Sequence, residues 1–511
     1  MSYSPKRMKG EDPYQRMRRE YEESSNRSYK TSNNKKNTKK RKNNEIDIIF
    51  KILSLIFILL TILFYRSVTR LNMLPTSYVI IFTIAEIIFT VLIVLGLGKR
   101  HKTYKLNIVC LVIALLISGV YLYVSNYANA TKDFLGSMFQ EVQETEEYYV
   151  VVRNESEYDE LEDLDGESIY TFQLEDDVKT DVENQIEVTF ETGNSLTDLG
   201  NNLMNEDINA ILISSSQYSI LDEEIENFID NTKIIYTAHH AIEKVENVSS
   251  EGSKYTINNG TFNIYISGID TSGSISNVSR SDANILVTVN TNTHEILLTS
   301  IPRDYYVTLH SKGAKDKLTH SGLYGVNETV TTVEDLLDTE INYYVRVNFT
   351  TVIKLVDVLG GVEVYSDYDF TAQGYHFNQG YNYLNGEQAL AFSRERHSFA
   401  SGDNQRVKNQ QAVIEAIINK VLSAQLFTNY TNILDSLEGS FQTNITESEI
   451  NKVVQNQLSN MSSWKIDNNA LVGSGSSGPT YSLGNVNSYI MLPDSSSVEG
   501  AKDMINEVLG E

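Results

Sequence analysis

Three long, predominantly apolar runs occur near the N-terminus of this 511-residue chain, at residues 46–64, 78–97 and 106–124. Each has close to the ~20 residues that a helix needs to cross a hydrocarbon layer of ~30 Å. A cleaved signal peptide would be a single, shorter run nearer the start of the chain. The pattern therefore predicts three transmembrane helices within residues 46–125, rather than buried helices of a globular core.

After a polar segment at 126–147, which is typical of a stalk, short apolar runs alternate with amphipathic stretches. Runs of this kind predict strands, and the amphipathic stretch at 222–229 predicts a helix. Together these elements predict a small α/β accessory domain over residues 148–245. The predicted strands are 148–152, 169–174, 186–190 and 210–213.

A linker rich in Ser, Asn and Gly at 247–260 precedes a second alternation of strands and helices. This alternation predicts an α/β fold over 255–511, with a central mixed β-sheet flanked by helices. The Gly-Ser stretch at 473–478 is predicted to be a loop. The predicted strands are 262–266, 285–289, 295–301, 344–347 and 362–365, and the predicted helices are 330–337, 352–359 and 405–426.

Charge divides the chain into two parts and sets the orientation of the membrane helices. Residues 1–125 carry a net charge of +13 and residues 126–511 a net charge of −38, which together give −25. Residues 1–45 hold 14 Lys and Arg, and the loop at 98–105 is also basic. By the positive-inside rule the basic tail at 1–45 is cytoplasmic, so the protein is a multi-pass cell-membrane protein with extracellular C-terminal domains.

The same charges limit the classes of partner. An outer region of −38 does not suit nucleic acid, whose phosphates need a positive face. The basic tail could be a nucleic-acid segment, but a segment that binds anionic lipid is favoured. Cys110 is the single cysteine, which excludes an intramolecular disulfide.

Six of the seven arginines after residue 126 fall between 280 and 406. The arginine fork suits bidentate binding of phosphate, although surface salt bridges are the alternative, and we prefer that alternative for Arg346. If Arg394-Glu395-Arg396 is extended, both guanidinium groups point to one face. Arg406 follows after a turn, at the start of the long helix. A strand-turn-helix unit with these three arginines is a candidate pyrophosphate clamp.

Two aspartates lie beside predicted strand ends. Asp270 follows the first strand of the second outer domain, and Asp282 precedes the next one. Carboxylates at neighbouring strand edges could share a hard cation such as Mg²⁺, with substrate phosphates as further ligands. A role as turn or cap residues is the simpler explanation when the pair is taken alone.

The motifs in 260–425 resemble, in order, those of the LytR-CpsA-Psr family of cell-wall phosphotransferases. The three-span anchor with an accessory domain is similar to the capsular polysaccharide biosynthesis branch of that family. The matching stretches are Gly268-Ile269-Asp270, Arg280-Ser281-Asp282-Ala283-Asn284, Ser300-Ile301-Pro302-Arg303-Asp304, Lys317-Leu318-Thr319-His320, Asp357-Val358-Leu359-Gly360-Gly361-Val362, Leu384-Asn385-Gly386-Glu387-Gln388-Ala389-Leu390, and Arg394-Glu395-Arg396 with Gly402-Asp403-Asn404-Gln405-Arg406.

The resemblance implies a substrate, an acceptor and a set of site residues. The enzyme would transfer a capsular glycan with its phosphate from undecaprenyl pyrophosphate to peptidoglycan, at the membrane and coupled to the capsule-synthesis machinery. Mg²⁺ (or Mn²⁺) would be held by Asp270 and Asp282. The implied pyrophosphate-binding residues are Arg280, Arg303, Lys317, Arg394, Arg396, Arg406 and Gln410, and the implied catalytic residues are Arg303, Arg394, Arg396 and Asp403.

Several roles stay open at this stage. Asp403 would orient an arginine or act as a base, and Lys317 would reach the phosphates or lie on the surface. His320 and His397 are expected to be packing or rim residues. Asn409 stands where the family pattern has a second arginine, and Lys408 beside it would face about 100° away on a helix.

The polyprenyl tail would need an apolar slot near the sheet, which the helices at 330–337 and 352–359 could line, although packing in the core is the simpler explanation of their apolar faces. Two alternatives to the transferase are kept. One is a lipid pyrophosphate hydrolase with water as the acceptor. The other is a non-catalytic regulator of capsule synthesis that binds polyprenyl phosphate or glycan.

Overall fold

The structure of the chain is a computed structural model. It describes residues 13–98, 104–138, 145–174, 176–241, 260–269, 275–400, 402–421, 436–437, 439–460 and 463–511. The predicted linker at 247–260 lies almost wholly outside these residues.

Three long helices hold the apolar runs, and each is long and apolar enough to cross a membrane. The first takes in most of the basic tail, and the third runs on into the predicted stalk. Inside this unit Tyr121 donates a hydrogen bond to Glu86, which supplies a partner for an acid in an apolar span. The helices are α1 (Pro13–Arg70), α2 (Thr76–Gly98) and α3 (Lys105–Met138).

The accessory domain is a five-stranded mixed sheet with strand order β3-β2-β4-β1-β5, packed with short helices. The helix predicted at 222–229 has the wrong bounds. A capping box between Ser214 and Gln217 starts a helix seven residues earlier, and a bend at 225–227 separates it from a second, short helix. The elements are β1 (Thr145–Arg153), β2 (Ser168–Thr171), α4 (Asp176–Glu183), β3 (Thr189–Thr192), α5 (Leu196–Met204), β4 (Ala210–Ser214), α6 (Ser215–Glu224), α7 (Phe228–Asn231) and β5 (Thr232–Ala241).

The second outer domain is built on a six-stranded mixed sheet with strand order β16-β11-β6-β7-β8-β17, which confirms the predicted α/β class. Strands β6, β7 and β8 run antiparallel in sequence, while β11 and β17 add parallel to β6 and β8. The sheet strands are β6 (Thr261–Ile269), β7 (Ser281–Asn290), β8 (Glu295–Ile301), β11 (Tyr343–Val347), β16 (Gln442–Thr443) and β17 (Lys465–Ala470).

Helices cover both faces of this sheet. One face packs against α9 and α14 around a core that includes Tyr265, Leu286 and Val333. The other face packs against α12 and α13 around Ile285, Val287 and their neighbours. The helices of this domain are α8 (Leu318–Ser321), α9 (Val326–Leu337), α10 (Phe349–Val358), α11 (Gly386–Arg394), α12 (Asp403–Val421), α13 (Glu447–Asn460) and α14 (Ser495–Leu509).

Four two-stranded antiparallel sheets complete the described part of the domain. One of them corrects the sequence prediction, because the Gly-Ser stretch predicted to be a loop forms strand β18. A Cβ at Gly473 would lie 2.4 Å from the carbonyl oxygen of Leu492, so glycine permits the close approach of the two chains. The strands of these two-stranded sheets are β9 (Tyr306–Thr308), β10 (Lys315–Lys317), β12 (Val362–Ser366), β13 (Phe370–Ala372), β14 (Tyr375–Phe377), β15 (Gly380–Leu384), β18 (Gly473–Thr480) and β19 (Val486–Pro493).

The accessory domain is joined to the second domain by backbone and apolar contacts beside Arg280. The amide of Thr145 donates to the carbonyl of Ser276 (3.0 Å), and the amide of Val278 donates back to the carbonyl of Thr145 (3.0 Å). Leu483 of the second domain is fully buried in the core of the accessory domain. These contacts fix the position of the accessory domain beside the segment that leads into strand β7 of the six-stranded sheet.

Arg346 is a structural arginine, and its predicted place in a surface salt bridge is wrong. Its side chain is only 1% exposed. The guanidinium group donates to the carbonyls of Ile275 (3.4 Å) and Asn277 (2.8 Å) and to the side chain of Gln442 (3.0 Å). It therefore ties β11 to the segment that the accessory domain also contacts.

We expect Arg346→Ala to lower the free energy of unfolding by about 3 kcal/mol, because buried carbonyls would lose their donors. The measurement is chemical denaturation of the detergent-solubilised chain, followed by fluorescence of Trp464, the single tryptophan, which lies in this domain. The control is Lys502→Ala, which removes an exposed pair with Glu499 and should cost less than about 0.5 kcal/mol. Equal effects of the two substitutions would contradict the structural role.

Candidate active site

An apolar slot of about 620 Å³ lies between the six-stranded sheet and helices α10, α11 and α12. Ile264 and Ile266 line it from β6, where their spacing of two places them on one face of the strand. Val352 and Leu355 line it from α10. One of the two helices predicted to line a slot therefore does so, whereas the helix at Val326–Leu337 packs in the core on the opposite face.

Helix α12 gives the slot a polar end and an apolar end. Its lining residues follow one helix face, with Arg406 and Gln410 first and then Val413, Ile414, Ile417 and Ile418. Twelve residues of helix span about 18 Å. The slot therefore changes from cationic to apolar along its length, which complements an anionic headgroup at one end and a hydrocarbon tail at the other.

Antiparallel pairing brings the charged residues of two strands to the polar end. Asn284 of β7 pairs with Ile301 of β8, so the start of one strand and the end of the next share a sheet edge. Asp282 and Arg303 meet there, with Arg303 Nη1 at 3.0 and 3.1 Å from the two carboxylate oxygens. Thr319 also donates to Asp282 (2.9 Å). Arg303 is 6% exposed, so this pair is largely removed from water.

A second carboxylate at this end, which the sequence did not predict, comes from the accessory domain. Glu223, in the last turn of α6, lies 2.7 Å from Nη1 of Arg280 and 3.3 Å from Nη2 of Arg303. Its neighbour Glu224 lies 3.6 Å from the buried ammonium of Lys317. Asp222-Glu223-Glu224 resembles any exposed acidic helix end, so the sequence carries no signal for this contact.

The electrostatics of the cluster keep its carboxylates ionised. Burial would raise the pKa of Asp282, but the charges of Arg303, Arg280 and Arg406 outweigh it and hold that pKa well below its usual range. The pKa of Glu223 is lowered in the same way, with Arg280 and Arg303 overcoming burial. Burial would lower the pKa of Arg303, but these carboxylates raise it, so the guanidinium stays charged.

The predicted strand-turn-helix unit is wrong, although its residues do gather at the slot. Arg394 is the last residue of α11, so it and Arg396 do not share the face of a strand. The guanidinium of Arg394 instead lies 4.1 Å from the ring centre of Phe349, and Nε of Arg396 lies 3.3 Å from Nε2 of His397. Arg394, Arg396 and Arg406 all line the slot.

Other predicted residues have simpler places. Lys317 is buried, which excludes the surface position that was left open. His320 is buried as well, with Nδ1 2.6 Å from Asp316, in keeping with a packing role. Asn409 donates to the carbonyl of Phe392 (3.2 Å), so the position that differs from the family pattern is used to join α12 to α11. Lys408 is exposed.

The predicted cation site is only partly described. Asp270 lies outside the described residues, and so does the side chain of Asp403. Within the part of the chain that the structure describes, no three His, Cys, Asp or Glu side chains are grouped as metal ligands. Among the described residues, Asp282 accepts three hydrogen bonds, which occupy three of its roughly four lone-pair sites.

Comparison with known proteins gives a consistent picture. The model of the LytR_cpsA_psr family matches residues 225–499. The polyisoprenyl-teichoic acid–peptidoglycan teichoic acid transferase TagU of Bacillus cereus (strain AH820) is 35% identical over 213 residues, which cover 42% of this chain and 69% of that protein. TagU of Enterococcus faecalis (strain ATCC 700802 / V583) is 37% identical over 208 residues, which cover 40% and 68%.

Solved structures of similar proteins cover about half of the chain. The crystal structure of Bacillus subtilis TagU is 31% identical and covers 49% of this chain and 97% of that chain, with a TM-score of 0.39. The structure described as TagT bound to LI-WTA is 27% identical and covers 50% and 94%, with a TM-score of 0.40.

The lowered pKa of Asp282 predicts a stability that depends on pH. A carboxyl whose pKa is lower in the folded state stabilises that state above its unfolded pKa of about 3.9, and the contribution is lost as pH falls below it. We expect the free energy of unfolding of wild type to fall between pH 5 and pH 3 by at least about 1 kcal/mol more than that of Asp282→Asn. Asp503→Asn, which changes an exposed aspartate, should follow wild type. Parallel pH curves for wild type and Asp282→Asn would contradict the assignment.

Proposed function

The chain belongs to the LytR_cpsA_psr family, and from that premise we propose that it is an extracytoplasmic phosphotransferase. It moves a capsular glycan with its phosphate from undecaprenyl pyrophosphate to a hydroxyl group of peptidoglycan. The two similar TagU proteins are named as polyisoprenyl-teichoic acid transferases, which supports a polyprenyl carrier for this chain as well. That the transferred glycan is capsular is proposed from the three-span anchor and the accessory domain.

The observation that carries the proposal is the change of polarity along the slot. A polyprenyl chain needs an apolar channel, and the faces of β6, α10 and α12 supply one. A pyrophosphate needs fixed cations, and Arg303, Arg394, Arg396 and Arg406 line the same cavity. A ligand with a hydrocarbon tail and an anionic headgroup matches both requirements at once.

The proposed reaction is an attack by the acceptor hydroxyl on the phosphorus that carries the glycan. A bond forms between the acceptor oxygen and that phosphorus, the bond to the bridging oxygen breaks, and undecaprenyl phosphate leaves with the electron pair. Negative charge spreads over the phosphoryl oxygens in the transition state, and fixed arginines stabilise it without reorganisation. Arg280, Arg303, Arg394, Arg396 and Arg406 are the proposed groups.

Three other residues have proposed supporting roles. Gln410 lies one turn after Arg406 on the slot face and would donate to a phosphate oxygen. The buried ammonium of Lys317 would add positive charge to the cluster. Asp403, at the start of α12, would orient an arginine or accept the proton of the acceptor hydroxyl.

Mg²⁺ (or Mn²⁺) belongs to the same proposal. Asp282 would hold the ion with Asp270, because an ionised carboxylate is a suitable hard-cation ligand. When bound, the ion would neutralise charge on the leaving phosphate.

The proposed location is the outer face of the cell membrane. The three membrane helices with a cytoplasmic basic tail would place the slot on the side where peptidoglycan lies. Undecaprenyl carriers reside in that membrane, so the anchor would keep the slot close to its substrate. Coupling to the capsule-synthesis machinery would then need only contacts within the membrane or the cytoplasmic tail.

We expect the double substitution Arg394→Ala/Arg396→Ala to lower glycan transfer to peptidoglycan roughly 100-fold or more, because two charge-stabilising donors are lost. The measurement is transfer of a labelled glycan from synthetic polyprenyl pyrophosphate by the detergent-solubilised full chain. The matched control is Lys408→Ala, which removes an exposed cation from α12 and should leave transfer unchanged.

The same assay separates the alternatives. Glycan phosphate released to water without transfer to peptidoglycan would establish a hydrolase. Tight binding of the lipid with no product at any Mg²⁺ concentration would establish a binding regulator. Unchanged transfer by the double variant would contradict the arginine site.

The apolar half of the slot gives a separate prediction. We expect Ile414→Asp to weaken binding of polyprenyl phosphate about 100-fold, because a carboxylate would meet the hydrocarbon tail. Binding of inorganic pyrophosphate should change by less than about threefold, since the substitution lies about two helical turns from Arg406. The measurement is equilibrium binding of radiolabelled ligands. Ile229→Asp, at an exposed isoleucine of α7, is the control, and unchanged lipid binding in Ile414→Asp would refute the tail position.

A further inference from the structure

The carboxylate of Glu223 is ion-paired with two guanidinium groups that a phosphate would also pair with. Nη1 of Arg303 donates a hydrogen bond to Asp282. Both terminal nitrogens of Arg303 also donate to Oε1 of Glu223, at 3.4 Å from Nη1 and 3.3 Å from Nη2. The other oxygen of Glu223 lies 2.7 Å from Nη1 of Arg280. One carboxylate therefore bridges two buried arginines, and it also lines the slot.

The accessory domain delivers this carboxylate from a fixed position. Helix α6 starts at the Ser214 capping box, and the hydroxyl of Ser216 donates to the carbonyl of Val278 (3.2 Å), two residues before Arg280. Leu483 of the second domain is buried in the accessory core, so the two domains share apolar contacts. The helix thus fixes the backbone position from which the side chain of Glu223 reaches the arginines.

The side chain itself has room to move. Glu223 is 36% exposed, whereas Arg280 beneath it is 3% exposed. Rotation about its own side-chain bonds can carry the carboxylate outward to water without moving the backbone. The two arginines cannot leave in the same way, so a competing anion displaces the glutamate and not the arginines.

We propose that Glu223 is an internal carboxylate that competes with phosphate-containing ligands for Arg280 and Arg303 and so sets how tightly any anion must bind to occupy the site. Every anion that enters must release these arginines from Glu223, so all anions are weakened by a similar factor. Free phosphate and pyrophosphate, which have no tail, then bind too weakly to occupy the site. A polyprenyl-linked pyrophosphate offsets the same cost by burying its tail in the apolar part of the slot.

The inference rests on the proposed function only for the identity of the natural ligand. The competition itself is a property of the arginine cluster, and it can be measured with inorganic pyrophosphate alone. A chain that failed to transfer glycan would leave this competition untouched. Conversely, a failure of the competition would leave the transferase proposal standing.

The experiment is calorimetric titration of the detergent-solubilised full chain with inorganic pyrophosphate. Glu223→Gln keeps the size and shape of the side chain but removes its charge, so we expect pyrophosphate to bind about tenfold more tightly than to wild type. Glu223→Asp keeps the charge on a shorter side chain and should fall between the two. Glu226→Gln, which removes an exposed charge three residues further on, should bind as wild type does.

Thermal unfolding of each variant separates this effect from a loss of structure. If Glu223→Gln unfolds at a temperature close to wild type and binds pyrophosphate no more tightly, the proposal is overturned. Weaker binding in Glu223→Gln would also overturn it, because it would make the carboxylate an organiser of the arginines instead of a competitor. Tighter binding in Glu226→Gln as well would show a general surface-charge effect and would overturn it too.

Discussion

Buried guanidinium groups are the constraint on which the two domains after the apolar helices depend. Arg280 and Arg303 are almost completely removed from water, and a buried charge is tolerated only when it is paired and hydrogen-bonded. The sheet supplies Asp282 and the accessory domain supplies Glu223. Because one carboxylate comes from each domain, the pairing of the site arginines depends on the position of the accessory domain.

The slot extends this logic into an apolar region. A single helix face on α12 carries arginine, glutamine and then four aliphatic residues, so one element defines both ends of the cavity. The sheet closes the opposite wall with isoleucines spaced two apart on β6. Positive charge is thereby confined to one end of an apolar cavity, although residues 126–511 carry a net charge of −38. Such confinement favours a ligand that is both anionic and apolar over ligands that are only one of these.

Local patterns predicted strands β6, β7 and β8 and helices α10 and α12, but they did not predict helix α11, where an extended segment was expected at Arg394. The meeting of Asp282 with Arg303 follows from antiparallel pairing of neighbouring strands. Contacts between distant segments could not be predicted in this way. Arg346 is buried by carbonyls about 70 residues earlier in the chain, and Glu223 reaches the arginines from another domain. Strand β18 has no apolar alternation, so only its pairing with β19 identifies it.

The central claim is that the slot holds a polyprenyl phosphate lipid with its headgroup at the arginines. The most direct test is native mass spectrometry of the full chain, purified in mild detergent from a membrane that contains undecaprenyl carriers, followed by identification of the released lipid. We expect one molecule of polyprenyl phosphate or pyrophosphate to be recovered with each chain. Recovery of ordinary membrane phospholipid in its place, or of chain without any bound lipid, would contradict it.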